Sequence, residues 1–477
     1  MVKKILKIAG IAVASIVAII VILSVVIMIV VDKKLVADQV KKALNRQVVI
    51  GDVSIGIFAI ISGIHVKDVQ ISNFKTEQQL KALEGKPIAK GDLFVSVKDI
   101  ALNFKFLPLL QKRFELKKFI LHGPTINIVR SDKGTFNFDD LLQPKKLTPE
   151  EKAEEEKKKA EEAKEGKKPF TADDIPIAVT VGEAGIDGGT VTYTDQKFAQ
   201  TFQVYNLTAK VHSIEIDPKE LDKKNNVKIY INMGIKTVGA MKTGTVNAFD
   251  LGFKATGNAK PFDLKTKKID PEVSIEVKLP YGNFNGLKLF EKLASLGKLT
   301  QLFGGLPFMK GNVQWKDSPA HVDAWYKAGL VKLSNGDLKN SDFTMNFSGE
   351  ANTNVKTMNM KIDMVLSDKR SGAIKNGIKK NVEAGLRKLG AKKYVKADKA
   401  ADNAVRPLLN KNGKVYFTIS AVGPFSDPNV NIVQPQIASL DEIIKSVAGD
   451  VAKGAVMDAG GKLLKDAGKK IKIPKLF

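Results

Sequence analysis

Apolar and polar residues alternate along most of this chain with a period of two. Val227, Ile229, Ile231, Met233 and Ile235 are separated by Lys228, Tyr230, Asn232 and Gly234. Val273, Ile275, Val277 and Leu279 alternate with Ser274, Glu276 and Lys278, and Phe343, Met345 and Phe347 with Thr344 and Asn346. Met358, Met360, Ile362, Met364 and Leu366 form a longer stripe; Val415, Phe417, Ile419 and Ala421 form another. Successive side chains of a strand point to opposite faces, so the spacing predicts strands with one apolar and one polar face. Roughly sixteen such runs follow one another. Two architectures satisfy them. In compact sandwiches the apolar faces meet in a dry core; in a long curved antiparallel sheet the apolar face lines a groove. Alternation alone does not choose, because both need one greasy face.

Several stretches break the period. From Ile5 to Val31 the residues are apolar, Gly or Ser apart from Lys7. A bilayer span needs about 20 such residues, so this run is long enough to cross with some tilt. Lys3, Lys4 and Lys7 stand at its start, and Asp32, Lys33 and Lys34 follow it. This bias predicts a cytoplasmic N-terminus and an exported body. A cleaved signal peptide is the rival, with an apolar core of ~7–15 residues and a small-residue cleavage site. Here the run ends in Met28-Ile29-Val30-Val31-Asp32, which favours a retained anchor.

Residues Lys145 to Lys168 hold nine Lys and eight Glu. Their i,i+4 spacing supports an exposed helix or semi-rigid linker without an apolar face to dock. Between Ser371 and Asn410, Ile374, Ile378, Val382, Leu386 and Leu389 recur at helical steps. Arg370 to Lys414 carries thirteen Lys+Arg against three Asp+Glu, which is ten of the chain's formal +25. Lys375, Lys379, Lys380, Arg387, Lys388, Lys392 and Lys393 are the candidate contacts with an anionic membrane surface. The other reading is a helix packed on the sheet with a solvated basic face. A further helical stripe runs through Leu440, Ile443, Ile444, Val447 and Val451.

Charge and composition narrow the chemistry. A surplus of 76 Lys+Arg over 51 Asp+Glu permits nucleic acid, anionic lipid or simple solubility. An exported body removes nucleic acid from that set. The absence of Cys excludes disulfides, thiolate zinc sites, iron–sulfur clusters and a Cys nucleophile. His65, His122, His212 and His321 are scattered. Gly239 to Gly244 has the glycine spacing of a phosphate loop but lacks the Lys that should follow. Asp139-Asp140 and Asp173-Asp174 are adjacent pairs suited to turns and caps rather than a metal clamp. The chain is therefore read as a non-enzyme with no catalytic, cofactor or metal site.

The residues after the apolar run are more specific. Ile50-Gly51-Asp52-Val53, then Gly63-Ile64-His65-Val66-Lys67-Asp68-Val69-Gln70-Ile71-Ser72-Asn73, open the body. Leu121-His122-Gly123-Pro124-Thr125-Ile126-Asn127-Ile128 and Asp132-Lys133-Gly134-Thr135-Phe136-Asn137-Phe138-Asp139-Asp140-Leu141-Leu142 follow in order. This succession resembles the AsmA family. Ile186 to Asp195 is similar to that family's second module, and Ser420 to Val430 to its closing strand. Gly123-Pro124 and Asp132 to Gly134 supply turn chemistry, and Asn137 and Asp139 are placed to cap a short helix at Leu141.

The resemblance implies a protein anchored in the inner membrane of a diderm bacterium with its body in the periplasm. It is similar to bridge-like lipid-transfer proteins, with a chorein-like start and a taco-shaped β-groove that carries phospholipid. The expected organisation is a stub and transmembrane anchor (1–33), an N-terminal β module (34–144), the charged tract (145–169) and a β-groove module (170–370). A basic amphipathic insert (371–411), closing strands (412–435) and a C-terminal amphipathic helix and tail (436–477) follow. The expected groove lining is Val95, Val97, Val227, Ile229, Ile231, Met233, Val273, Ile275, Val277, Met345, Phe347, Met360, Ile362, Phe417 and Ile419. The competing expectation is a scaffold or assembly factor for outer-membrane proteins, with a filled core and a protein partner.

Overall fold

The computed structural model describes residues 44–58, 61–105, 113–142, 170–175, 178–238, 249–285, 312–388 and 402–436, with Glu442 and Lys445. The expected membrane span, the Lys/Glu tract and nearly all of the C-terminal helix lie outside these residues. Among the described residues no helix is long and apolar enough to cross a membrane. The described chain is mainly β. Its strands are β1 (Arg46–Val49), β2 (Asp52–Phe58), β3 (Ile61–Phe74), β4 (Leu93–Lys105), β5 (Arg113–His122), β6 (Thr125–Arg130) and β7 (Ala178–Asp195). Then come β8 (Gln200–Ile216), β9 (Asn225–Val238), β10 (Phe249–Phe262), β11 (Ile269–Leu279), β12 (Gly282–Asn285), β13 (Asn312–Trp315) and β14 (Ala320–Lys327). The last are β15 (Leu330–Lys339), β16 (Phe343–Asn352), β17 (Thr357–Leu366), β18 (Tyr416–Pro424) and β19 (Asn429–Gln434). The described α-helices include α1 (Glu77–Ala82), α2 (Asp139–Leu142) and α3 (Asp368–Lys388). The chain divides into two compact units, residues 1–283 with 321–331, and residues 284–320 with 332–477.

In the first unit, β3 pairs with β1 and β2 on one side and with β4 on the other. β4 pairs with β5 and β6. From β7 to β11 each strand pairs antiparallel with the next. The sheet is mixed rather than antiparallel throughout, because β7 runs parallel to both β5 and β6. A tight turn forces the chain to reverse, whereas a parallel return needs a dozen or more connecting residues. The connection from Arg130 to Ala178 is far longer than that, which leaves room for the chain to re-enter the sheet in its original direction.

The register explains the alternation. Val53, Val66, Ile100, Leu121, Ile186, Ala209, Ile231, Ala255 and Val277 stand opposite one another across β2, β3, β4, β5, β7, β8, β9, β10 and β11. A second row links Val48, Ile71, Val95, Ile126, Val191, Val204, Ile235 and Leu251. Most of these side chains from β3 to β7 belong to one buried cluster. The two rows differ in parity. Val66 to Ile71, Ile100 to Val95, Leu121 to Ile126, Ile186 to Val191 and Ala209 to Val204 are each five positions apart.

An odd step along a regular strand moves a side chain to the opposite face. Four of the five crossings hold a residue in the left-handed region: Asp68 (φ 53), Gly123 (φ 58), Gly188 (φ 69) and Asn206 (φ 51). Gly, Asn and Asp enter that region at least cost, and the local turn returns the apolar residues to the inner face. On β9 the corresponding residues, Ile231 and Ile235, are four apart. The mismatch is absorbed by a bulge in β8 between Tyr205 and Thr208.

The second unit repeats the logic without the odd step. Met345, Met364 and Phe417 form one row across β16, β17 and β18, and Phe347, Ile362, Ile419 and Ile432 form the next, reaching β19. α3 starts at Asp368 and buries Ile374, Ile378 and Val382. Its first turns are tied to the strands. Ser371 Oγ accepts the Val415 N–H at 3.0 Å and donates to the Leu366 carbonyl at 3.4 Å, and Arg370 Nε donates to Asp342 at 2.6 Å. Of the two readings of this helix, the packed one describes Ile374, Ile378 and Val382; the side chain of Leu386 and all of Leu389 lie outside the described residues.

Leu121, 2 % exposed in the nine-strand row, is expected to lose ~2–5 kcal/mol of stability as Leu121→Ala. The half-buried Ile275 in β11 should lose well under half of that as Ile275→Ala. Denaturant titration of the two full-length variants checks the ranking.

Candidate functional site

The residues expected to line a groove fall into two environments. Val95 and Val97, each 3 % exposed, lie in the closed cluster of β1 to β8. In the second unit Met345, Ile362, Phe417 and Ile419 are buried, while Phe347 and Met360 are half-buried. Across β9 and β11, Val227 and Val277 are buried, but Ile229, Ile231, Met233, Val273 and Ile275 are only half-buried. β10 lies between them with half-buried Leu251, Phe253 and Ala259 and buried Ala255. This strand is absent from the sequence-based lining. Its inward positions alternate through Ala255, Gly257 and Ala259, which carry little hydrophobic signal. The result is an apolar strip, about 27 Å long on β9 from Val227 to Ile235 at ~3.3 Å per residue.

Behind the strip the outer face is polar and stiff. Lys228, Lys254, Asn258, Ser274 and Lys278 are exposed there. Gly234 and Gly252 leave gaps on that face, and the rings of Tyr205 and Tyr281 lie over them. The two hydroxyls meet at 2.6 Å, and Tyr205 also donates to Asp250 at 2.8 Å. Burial, and then the bonds to Tyr281 and Asp250, hold the Tyr205 phenol protonated far above its ordinary range.

At the other end of the unit the apolar face is filled. Phe136, Phe138 and Leu141, from the turn after β6 and from α2, pack into the cluster. Beneath them Arg46 is fully buried. Its guanidinium donates to Asp140 at 2.7 Å, to the carbonyls of Asn137 (2.8 Å) and Ser72 (3.0 Å), and lies 4.4 Å over the Phe94 ring. A buried charge is tolerable only when paired and hydrogen-bonded in this way. A line of rings then borders the face. Phe138–Phe136, Phe136–Tyr193, Tyr193–Phe202 and Phe202–Phe249 are centred 5.0, 6.5, 6.2 and 5.9 Å apart.

The sequence matches the model of the AsmA family over residues 2–367. The chain belongs to the AsmA family. Comparisons with curated proteins and with solved structures returned no match. Within this AsmA-family chain the motif from Asp132 to Leu142 builds the plug just described. Asn137 does not cap α2. Its Oδ1 accepts the Val129 N–H at 3.0 Å, and its Nδ2 donates to Asn127 O and Asn73 Oδ1, stitching β6 to the end of β3. Asp139 accepts the Phe136 N–H at 2.7 Å. Arg46 was not legible as a buried group, since an Arg beside Asn45 reads as an exposed basic turn.

The candidate membrane cations are partly committed. Lys375 donates to the Gly413 carbonyl at 3.0 Å. Lys379, Lys380, Arg387 and Lys388 are exposed on α3, and Lys392 and Lys393 lie outside the described residues. Among the described residues no group of three or more His, Asp or Glu side chains is placed to hold a metal ion.

Asp195, 1 % exposed, accepts from Tyr193 Oη at 3.1 Å and from Arg130 at 3.2 Å. Burial, then the Asp195 carboxylate, pushes the Tyr193 phenol up to about 12 from its usual 10. A raised folded-state value favours the protonated form, so this contribution is full below pH 10 and is lost as pH rises from 10 to 12. Wild-type stability should fall across that window, and Tyr193→Phe should flatten the fall, as read by denaturation at stepped pH.

Proposed function

We propose that this protein is held in the bacterial inner membrane by the apolar run ending at Val31 and carries phospholipid in the periplasm. The acyl chains lie on the apolar face and the headgroups stay in water. Transport along such a face serves outer-membrane biogenesis or lipid homeostasis and involves no reaction, so it requires no catalytic group or cofactor. AsmA membership and a large β-sheet support this reading. The observation that carries it is the half-open apolar strip on β9 to β11, continuous with rows that cross the whole unit.

Energetics favour it as well. Each CH₂ removed from water is worth ~0.8 kcal/mol, so a chain of about 16 carbons needs roughly 13 kcal/mol to cross water alone. An apolar track lowers that barrier without doing chemistry. The exposed cations of α3 add attraction for anionic lipid surfaces, with the apolar stripe of the helix held inside its own unit.

A filled core from β3 to β7 is also what a scaffold or assembly factor would have. Native mass spectrometry of the detergent-extracted full chain separates the two. Bound phospholipid is expected on the wild type and should fall several-fold in Ile231→Glu/Ile275→Glu. These side chains are half-buried, so the change costs some stability, and lipid is compared at a temperature where circular dichroism shows both proteins folded. A lipid-free wild type that crosslinks to an outer-membrane protein would support the scaffold instead.

A further inference from the structure

We infer that lipid touches the first unit only beyond β7 and enters sideways through the half-buried face that runs from β8 to the β9–β11 strip, because buried side chains fill the apolar face from β3 to β7. This rests on the lipid-carrying reading and fixes where along the chain the track begins. A face can hold an acyl chain only where it is not already filled by the protein's own side chains. Ile126, Ile128 and Leu121 are 1–2 % exposed, and Val95 and Val97 are 3 % exposed. The closely packed interior they share has no room for a guest without repacking.

The filling has identifiable sources. Phe136, Phe138 and Leu141 are not part of the continuous ladder, yet they pack against the strand residues of the cluster. Arg46 and Asp140 fasten that insert at 2.7 Å, and Asn137 ties it to β3 and β6. Displacing it would leave a buried guanidinium without its carboxylate, which is strongly unfavourable. The insert is therefore a fixed plug.

Burial falls off from β8 onward, where Leu207 is the last buried member of the cluster. Ala209 and Val204 of β8, and Met233 of β9, still pack on the cluster. Along these rows Val204 and Ala209 are themselves half-buried, as are Ile231, Ile235, Leu251, Phe253 and Ile275, with Ala255 and Val277 buried among them. The strip is about 27 Å long and about 10 Å between the outer two of its three strands. One leaflet of a bilayer is about 15 Å of hydrocarbon, so a single extended acyl chain fits along it. The closed core lies between this strip and the residues that follow the membrane run. A chain threading continuously from the anchored end would have to pass through the plug.

The experiment maps contacts on the unmodified full chain. The protein is reconstituted in vesicles containing a phospholipid with a diazirine in one acyl chain, irradiated, digested and read by peptide mass spectrometry. Adducts are expected on β9 to β11, in Ile229–Ile235, Leu251–Ala259 and Val273–Val277. None is expected on Ile64–Ile71, Val95–Leu102 or Ile126–Ile128. Adducts on those core segments at a yield within threefold of the strip would overturn the boundary while leaving lipid carriage intact. Adducts confined to residues 1–33 would overturn lipid carriage itself. Ile231→Lys should lower the strip adducts several-fold without creating core adducts.

Discussion

The whole first unit depends on one constraint: every strand must keep its apolar side chains on the same side as its neighbours' along its full length. The two-residue period of a strand makes this unforgiving, because a slip of one position turns grease outward along all that follows. The chain meets the constraint twice at different parity and joins the halves through five odd steps at one level of the sheet. Left-handed residues at Asp68, Gly123, Gly188 and Asn206 make the join. The buried cluster, the plug and the open strip all presuppose it. Had the chain continued straight at any one of the five steps, its part of the second row would face water.

Polar groups in this fold serve the same end. The Arg46 network holds an aromatic insert over the apolar face, and the Tyr205–Tyr281 pair covers two glycines on the opposite face. One closes the inner surface at β3 to β7; the other covers the strands behind the strip. Ion pairs elsewhere, such as Lys210 with Glu183 and Asp187, sit on the wet face. These three side chains are half-buried, whereas a fully exposed pair such as Lys332 with Glu350 adds little to stability.

Much of this was legible beforehand, for physical reasons. Stripes such as Met358 to Leu366 and Val227 to Ile235 announce strands because a half-buried strand admits few other compositions. Their partners were not legible. Nothing in the local sequence says that β7 returns parallel to β5, since a long connection leaves direction free. β10 escaped notice because Ala255, Gly257 and Ala259 carry the inward face with small side chains. Alternation named Val95 and Ile231 as equivalent; burial separates them, and burial depends on Phe136 and Phe138, distant in sequence from both. In α3 the periodic stripe was plain, but only the tertiary contacts of Ser371 and Lys375 show that it faces the protein.

The aligned odd steps also constrain how such a chain can change. A single inserted or deleted residue in β3, β4, β7 or β8 would place one strand out of phase with two neighbours at once. Relief would require a compensating change at the same level in each adjoining strand, passing from neighbour to neighbour until it reached the bulge at Tyr205–Thr208. The line from Asp68 to Asn206 is therefore inherited or lost as a unit, whereas β9 to β11, beyond that bulge, can alter length and register on their own. Variation in the open strip is thereby decoupled from the part of the sheet that must stay shut.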